Sequence, residues 1–293
     1  MKVFVTGGTG FTGSHVLHML AQKGVQVRCL VRSESKLGRI PASFEVVQGC
    51  LEDEAGLLRA MSGMDILINI ASLGFGHAPS IVRCATAAGL QRVVFISTTS
   101  VFTQLNAPSK NARLLAEKCI EESGLNYVIL RPTMIYGSSE DRNICRLIQF
   151  LWRFPVLPVV GPGTHRMQPI FVGDLANVIC AAAFEKSGSK KAFNVSGALP
   201  LTFNEMIETV AELLGRRRRK LHLPVRPIVW GLSLSERMRI RLPIKAEQIL
   251  RLNEDKAFEH GDAATAFGFR PRTFRDGVGE EIQSLGFDVN GWH

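Results

Sequence analysis

The chain has 293 residues, 46% of them hydrophobic, with 35 Lys and Arg against 26 Asp and Glu, for a formal net charge of +9. That length suits a nucleotide-binding domain with a smaller partner. No run of about 20 apolar residues offers a membrane span, and the first residues enter a fold pattern at once, so no signal peptide is expected. Six scattered cysteines (Cys29, Cys50, Cys84, Cys119, Cys145, Cys180) contain no C-x-x-C pair. They point to reduced thiols and a cytoplasmic protein. His15 and His18 stand one helical turn apart with no third ligand suggested, so no metal site is expected.

In chain order, Lys2–Val5 predicts a buried strand and Ser14–Gln22 a helix closed by Gly24. Between them runs TGGTGFTG, Thr6 to Gly13. Strand, glycine turn and helix are the context that gives such a motif meaning. Gly7 permits the tight turn, Gly10 lets the backbone approach a pyrophosphate, and Gly13 lets the helix pack on the strand. Free N–H groups at the helix start hold phosphate oxygens. Dinucleotide binding through Gly7, Thr9, Gly10, Phe11, Thr12 and Gly13 follows; the alternative is a tight turn without a ligand. Val25–Val31 predicts the second strand. An acidic residue about 20 positions after the glycines would hold the ribose hydroxyls of NAD. Arg32 stands there instead, with Arg28 and Lys36 nearby. A guanidinium grips a 2′-phosphate bidentately, so NADP(H) is favoured over NAD(H). The alternative is that Arg32 and Lys36 are solvated surface charges.

Asp65–Ile70 predicts a strand, Ser80–Ala88 a helix stopped by Gly89, and Arg92–Ser97 another strand. Lys110–Ser123 predicts a helix with Ala112, Leu115, Ala116 and Cys119 on one face, and Tyr127–Leu130 a further strand. Alternating strands and helices imply an α/β fold, a Rossmann-type doubly wound parallel sheet. After Gly137 the prolines Pro155, Pro158 and Pro162 cut the chain into short pieces. Residues 168–183 return to a helical pattern and 192–195 to a strand. The expected division is a nucleotide-binding domain of 1–137, also receiving roughly 164–196, and a smaller, mainly helical substrate-binding part of 138–163 and 197–293.

The positive charge admits nucleic acid, an anionic membrane or a phosphorylated ligand. Its densest run, Arg216–Lys220, follows a helix over Asn204–Leu214 and reads as a solvated loop; it lacks the interleaved aromatics of base stacking, so no nucleic acid is expected. Pro227–Leu232, with Arg237, Arg239 and Arg241 after it, reads as a helix of the substrate part, or as a surface for a membrane or partner.

Five pieces in order carry a family resemblance: TGGTGFTG, VVFISTTSVF (93–102), ILRPTMIYG (129–137), QPIFVGDLA (168–176) and GFRPRTF (268–274). Together they resemble the short-chain dehydrogenase/reductase superfamily, in the extended or atypical branch of NAD-dependent epimerases/dehydratases and NmrA-like proteins. The resemblance implies a Ser/Thr with Tyr-x-x-x-Lys, performing acid/base catalysis beside a hydride donor. Thr98, with Thr99 beside it, matches the hydroxyl, and Lys110 matches the lysine that holds the nicotinamide ribose. Ala71 joins the cofactor-binding set. Asn106 occupies the tyrosine's place, and an amide is no proton donor of suitable pKa. Cys50 replaces the aspartate that contacts adenine in the pattern GDL-x-D, and Asp53 fits a helix start.

The resulting expectation is an NAD(P)H-binding oxidoreductase that reduces or isomerises a small carbonyl or nucleotide-sugar substrate. Lys110, His77 or water would serve as proton donor. The alternative is a non-catalytic NADPH-binding redox sensor or assembly subunit. The family commonly forms homodimers through helices of the central sheet.

Overall fold

A computed structural model describes residues 1–32, 37–105, 108–237, 249–250 and 253–287. Contacts group the chain into two compact units: Met1–Thr133, Val172–Ser196 and Glu259–Pro271 form one; Met134–Phe171, Gly197–Phe258 and Arg272–His293 form the other.

The elements run β1 (Lys2–Thr6), α1 (Phe11–Gln22), β2 (Gln26–Val31), β3 (Glu45–Gln48), α2 (Glu54–Met61), β4 (Ile66–Asn69), α3 (Ala78–Ala87), β5 (Arg92–Ile96), α4 (Pro108–Glu121) and β6 (Tyr127–Pro132). There follow β7 (Ile135–Tyr136), α5 (Ile144–Arg153), β8 (Val156–Val160), β9 (Arg166–Met167), β10 (Ile170–Phe171), α6 (Val172–Phe184) and β11 (Lys191–Val195). Last come β12 (Leu201–Thr202), α7 (Phe203–Leu213), β13 (Arg219–Leu223), α8 (Val225–Arg237), α9 (Gly261–Phe267) and α10 (Phe274–Ser284).

In the first unit seven strands form a parallel sheet in the order β11-β6-β5-β4-β1-β2-β3. Every residue of β4 and β5 is buried. Burial at every position, on both pleats, marks strands covered on both faces. One face is sealed by α2, α3 and α4, whose Leu57, Ile81 and Ile120 pack in one cluster with Phe4, Leu67 and Phe95. α6 packs on α1 and against β4, β5 and β6. The strand order reverses between β1 and β4, and that switch point is where an open α/β sheet receives a ligand.

In the second unit Tyr136, Ile148, Leu151, Val159, Met206, Val210 and Val278 share a core. Three two-stranded pairs border it: β10 with β7, β12 with β9, and β13 with β8. A side chain on Gly277 would meet the Tyr136 hydroxyl at 2.2 Å, so the α10 backbone seats this phenol.

Three local readings are corrected. α5 lies where only short pieces were expected; Ile144, Ile148 and Leu151 make its buried stripe. Arg219 and Lys220 belong to β13, so the basic run is not a loop throughout. Leu115 is 69% exposed, while Glu117, two residues on and on the opposite side of the helix, is buried.

Candidate functional site

β1 and β4 are tied at their carboxyl ends. Thr6 Oγ1 donates to Asn69 Oδ1 at 2.6 Å, and Asn69 Nδ2 donates to the Ala71 carbonyl at 3.0 Å. From Thr6 the chain turns sharply. Gly7 has φ +71°, and a Cβ there would stand 2.6 Å from Ala71 N. Only glycine suits both demands. Gly13, in the first turn of α1, would press a Cβ to 2.2 Å from the Gly7 carbonyl oxygen. It packs the helix on the loop's own backbone, where packing on the strand had been expected.

Gly10 caps α1 without a side-chain hydrogen bond, and no acidic residue lies in the first turn. A Cβ on Gly10 would meet only Gly7 O, at 3.3 Å. The helix therefore presents free N–H groups and its positive end to open space. This arrangement fits a pyrophosphate.

The space in front of the loop is a cleft of about 320 Å³. Gly7, Thr9 and Gly10 form one side, Ala71 and Ser72 the end of β4, and Leu30 and Arg32 the end of β2. Cys50, Leu51, Glu52, Phe75 and His77 complete it. Arg32 thus shares a cavity with the glycine loop. Glu52 stands 3.4 Å from His77 Nε2. Its own backbone N–H lowers the Glu52 pKa most; Cys50, His77 and Arg32 act the same way, against desolvation. Asp53 caps α2 by accepting from Gly56 N at 3.0 Å. Glu52 and His77 as neighbours were missed in the sequence because a β4 loop and a β3 loop meet only in the fold. Lys36 and Asn106 lie outside the described residues.

Phe11, Thr12 and Gly13 lie in the first turn of α1 rather than in the cleft lining. Thr98 and Lys110 also lie outside that lining. They bond instead to the opposite ends of one short 3₁₀ turn, Thr99–Phe102. Thr98 caps its start, Oγ1 accepting from Ser100 N at 3.2 Å. Lys110 Nζ donates to the carbonyl of Thr103, which ends it, at 2.6 Å. Thr99 is buried and donates to Pro132 O at 3.3 Å.

Beneath them lies a buried polar cluster: Ser97 Oγ donates to Glu117, which also receives Arg131 Nε at 3.0 Å. Glu117 follows Lys110 by two helical turns on the same face of α4, a spacing visible in the sequence.

A family model described as NAD(P)H-binding matches residues 7–147. Ceramide reductase of Caulobacter vibrioides is 31% identical over 240 residues, 76% of this chain and 73% of that protein. The chain belongs to the extended short-chain dehydrogenase/reductase superfamily. A 3β-hydroxysteroid dehydrogenase/Δ5→4-isomerase of Mycobacterium tuberculosis, another relative, is 23% identical over 319 residues, covering 92% of this chain and 86% of that one. In fold, UDP-glucose 4-epimerase of Thermotoga maritima, solved with UDP-glucose, superposes with a TM-score of 0.77 at 17% identity, over 98% of this chain and 99% of that one. A nicotinamide cofactor and oxidoreductase-type relatives thus accompany the fold.

Proposed function

We propose that this protein is an NADP(H)-dependent oxidoreductase that interconverts a ketone and a secondary alcohol on a lipophilic molecule. The observation that carries the cofactor assignment is the shared cleft of Arg32 and the glycine loop. A pyrophosphate seat and a guanidinium on one cavity suit a dinucleotide bearing a 2′-phosphate. The substrate class rests on the two relatives, whose names specify a ceramide and a steroid. Likeness to the sugar-nucleotide epimerase is one of fold and carries no substrate.

When bound, the cofactor supplies or accepts a hydride. The chain's own residues bind and orient. The first turn of α1 would hold the pyrophosphate, and Ala71 lines the same cleft. Thr98 accepts one hydrogen bond and keeps its O–H proton to direct at a substrate oxygen. Lys110, whose ammonium is held by the Thr103 carbonyl, would hold a ribose hydroxyl of the bound cofactor and would supply positive charge to a developing alkoxide. Proton delivery falls to Lys110 or to water. His77, paired with Glu52 in the cleft of Arg32, belongs to the adenosine end.

The test is a carbonyl screen with NADPH, following nicotinamide absorbance. A 3-ketosphingolipid, a 3-ketosteroid and a keto-sugar nucleotide are the substrates. Turnover of a lipid ketone alone supports the reading. Tight NADPH binding with no turnover of any class overturns it in favour of a non-catalytic NADPH-binding sensor.

A further inference from the structure

The second unit carries a ribbon of two parallel strands, β8 and β13, in which Arg219 pairs with Val156, Lys220 with Leu157 and Leu221 with Pro158. Along each strand successive side chains alternate between faces. Leu157 and Val159 are buried, so their pleat faces the unit's core, while Val156, Pro158, Arg219 and Leu221 are exposed on the opposite pleat. Val156 is 41% and Leu221 54% exposed.

Aromatic and cationic side chains flank the two strands in sequence and stand on α8, the helix that follows β13. Phe154, directly before β8, is exposed, with the Arg153 guanidinium 5.7 Å from its ring centre. Arg216, before β13, lies 4.1 Å over Trp152. Trp230, on α8, is 70% exposed. Arg226 is exposed one turn earlier on the same helix face.

The charge is one-sided. Residues 213–235 contain Arg216–Lys220 and Arg226 and no carboxylate; residues 142–172 contain Arg142, Arg146, Arg153 and Arg166 and again none. Lys220 is paired with Glu208, and Arg218 is anchored on the carbonyls of Leu151 and Trp152. Arg153, Arg217, Arg219 and Arg226 have no ion pair among the described residues.

We infer that this face docks the protein on an anionic lipid bilayer. Trp230, Leu221 and Phe154 enter the headgroup region, and Arg217, Arg219 and Arg226 meet the lipid phosphates. Both halves of the surface have a use there: tryptophan belongs at the membrane–water interface, and clustered cations are drawn to an anionic leaflet. A nucleic acid would satisfy the arginines but leave Val156 and Leu221 against a phosphate backbone, with nothing gained from their burial. The surface stands independently of the substrate reading, and its test needs no turnover.

The full chain is sedimented with vesicles of phosphatidylcholine, alone and mixed with phosphatidylglycerol. Binding to the mixed vesicles only, weakened by salt, is expected. Arg217→Glu/Arg219→Glu should lower the partition coefficient roughly tenfold or more, with NADPH affinity and melting temperature unchanged. Wild-type tryptophan emission should shift to the blue on mixed vesicles, and Trp230→Phe should lose that shift. Absence of binding to mixed vesicles at low salt overturns the inference, as does binding that the charge reversal leaves intact. Tighter retention on duplex DNA, with no emission shift on vesicles, overturns it in favour of a nucleic-acid surface.

Discussion

Arg131 grips Glu117 with two prongs: Nε lies 3.1 and 3.0 Å from the two carboxylate oxygens, and Nη2 lies 2.5 Å from one of them. Their side chains are 18% and 4% exposed, so the pair is screened from water. Removing one partner leaves the other charge buried and alone, which costs about 3–5 kcal/mol. Glu117→Ala and Arg131→Ala should each lower the unfolding free energy obtained from urea titration by that amount. Glu117→Met/Arg131→Met should lie closer to wild type than the sum of the two alanine effects.

The glycine loop offers a contrast between two neighbouring positions. Gly10→Val should abolish NADPH binding in calorimetry and cost less melting temperature than a substitution at Gly13, because its Cβ would meet only Gly7 O, at 3.3 Å. Gly13→Ala should lower the melting temperature itself, because its methyl has no room against the Gly7 carbonyl. Equal stability losses in both would reduce the loop to a simple turn.

Cofactor preference should follow Arg32. A charge-assisted hydrogen bond to a 2′-phosphate contributes roughly 1.5–3 kcal/mol. Wild type should bind NADPH more tightly than NADH, and Arg32→Asp should reverse the order. Titration of both nucleotides against both proteins decides it; equal affinities in wild type would refute the assignment.

Lys110→Met should lower kcat by about 10²–10⁴, the range of a lost acid/base group, once a substrate is in hand. Its folded stability should change little, since one half-buried bond to Thr103 O is lost. Thr98→Val should raise KM more than it lowers kcat if the hydroxyl orients the substrate.

Stability should also depend on Glu281. This residue is fully buried, and neither carboxyl oxygen has a hydrogen-bond partner among the described residues. Burial, with the nearby Asp141 charge adding to it, pushes its pKa up to about 8. The folded state therefore holds a proton that the unfolded chain releases above about 4.5. The stability this proton confers is complete below that value, declines as pH rises, and is gone once pH passes about 8. Melting temperatures measured from pH 5 to pH 9 should fall for wild type and fall less for Glu281→Gln. Identical slopes would show that Glu281 is not the group responsible.

Much of the sheet was legible because its signals are local. Lys2 to Gln22 declares strand, turn and helix through apolar runs and glycines, and the structure prolongs α1 back to Phe11 through the last glycine turn. β3 was not anticipated: Glu45-Val46-Val47-Gln48 is short, and at the sheet edge it is mostly exposed. α5 is followed closely by Pro155, Pro158 and Pro162, whose breaking signal masks the helical period carried by Ile144, Ile148 and Leu151. That Gly7, Gly10 and Arg32 come together in one cleft was legible because they sit at fixed distances along one βαβ unit. The cleft's Glu52–His77 contact joins residues 25 apart in sequence, and no short-range pattern announces it. Arg131 and Glu117 likewise look like ordinary surface charges until β6 and α4 are packed together.

The fit of Gly13 against Gly7 has a kinetic consequence. With no room for even a methyl between them, loop and first helical turn move as one body. The anion seat is then shaped before any phosphate arrives, and little chain entropy is lost in ordering it. Substitutions around this seat that preserve its shape should therefore leave the association rate nearly constant and register in how long the dinucleotide stays.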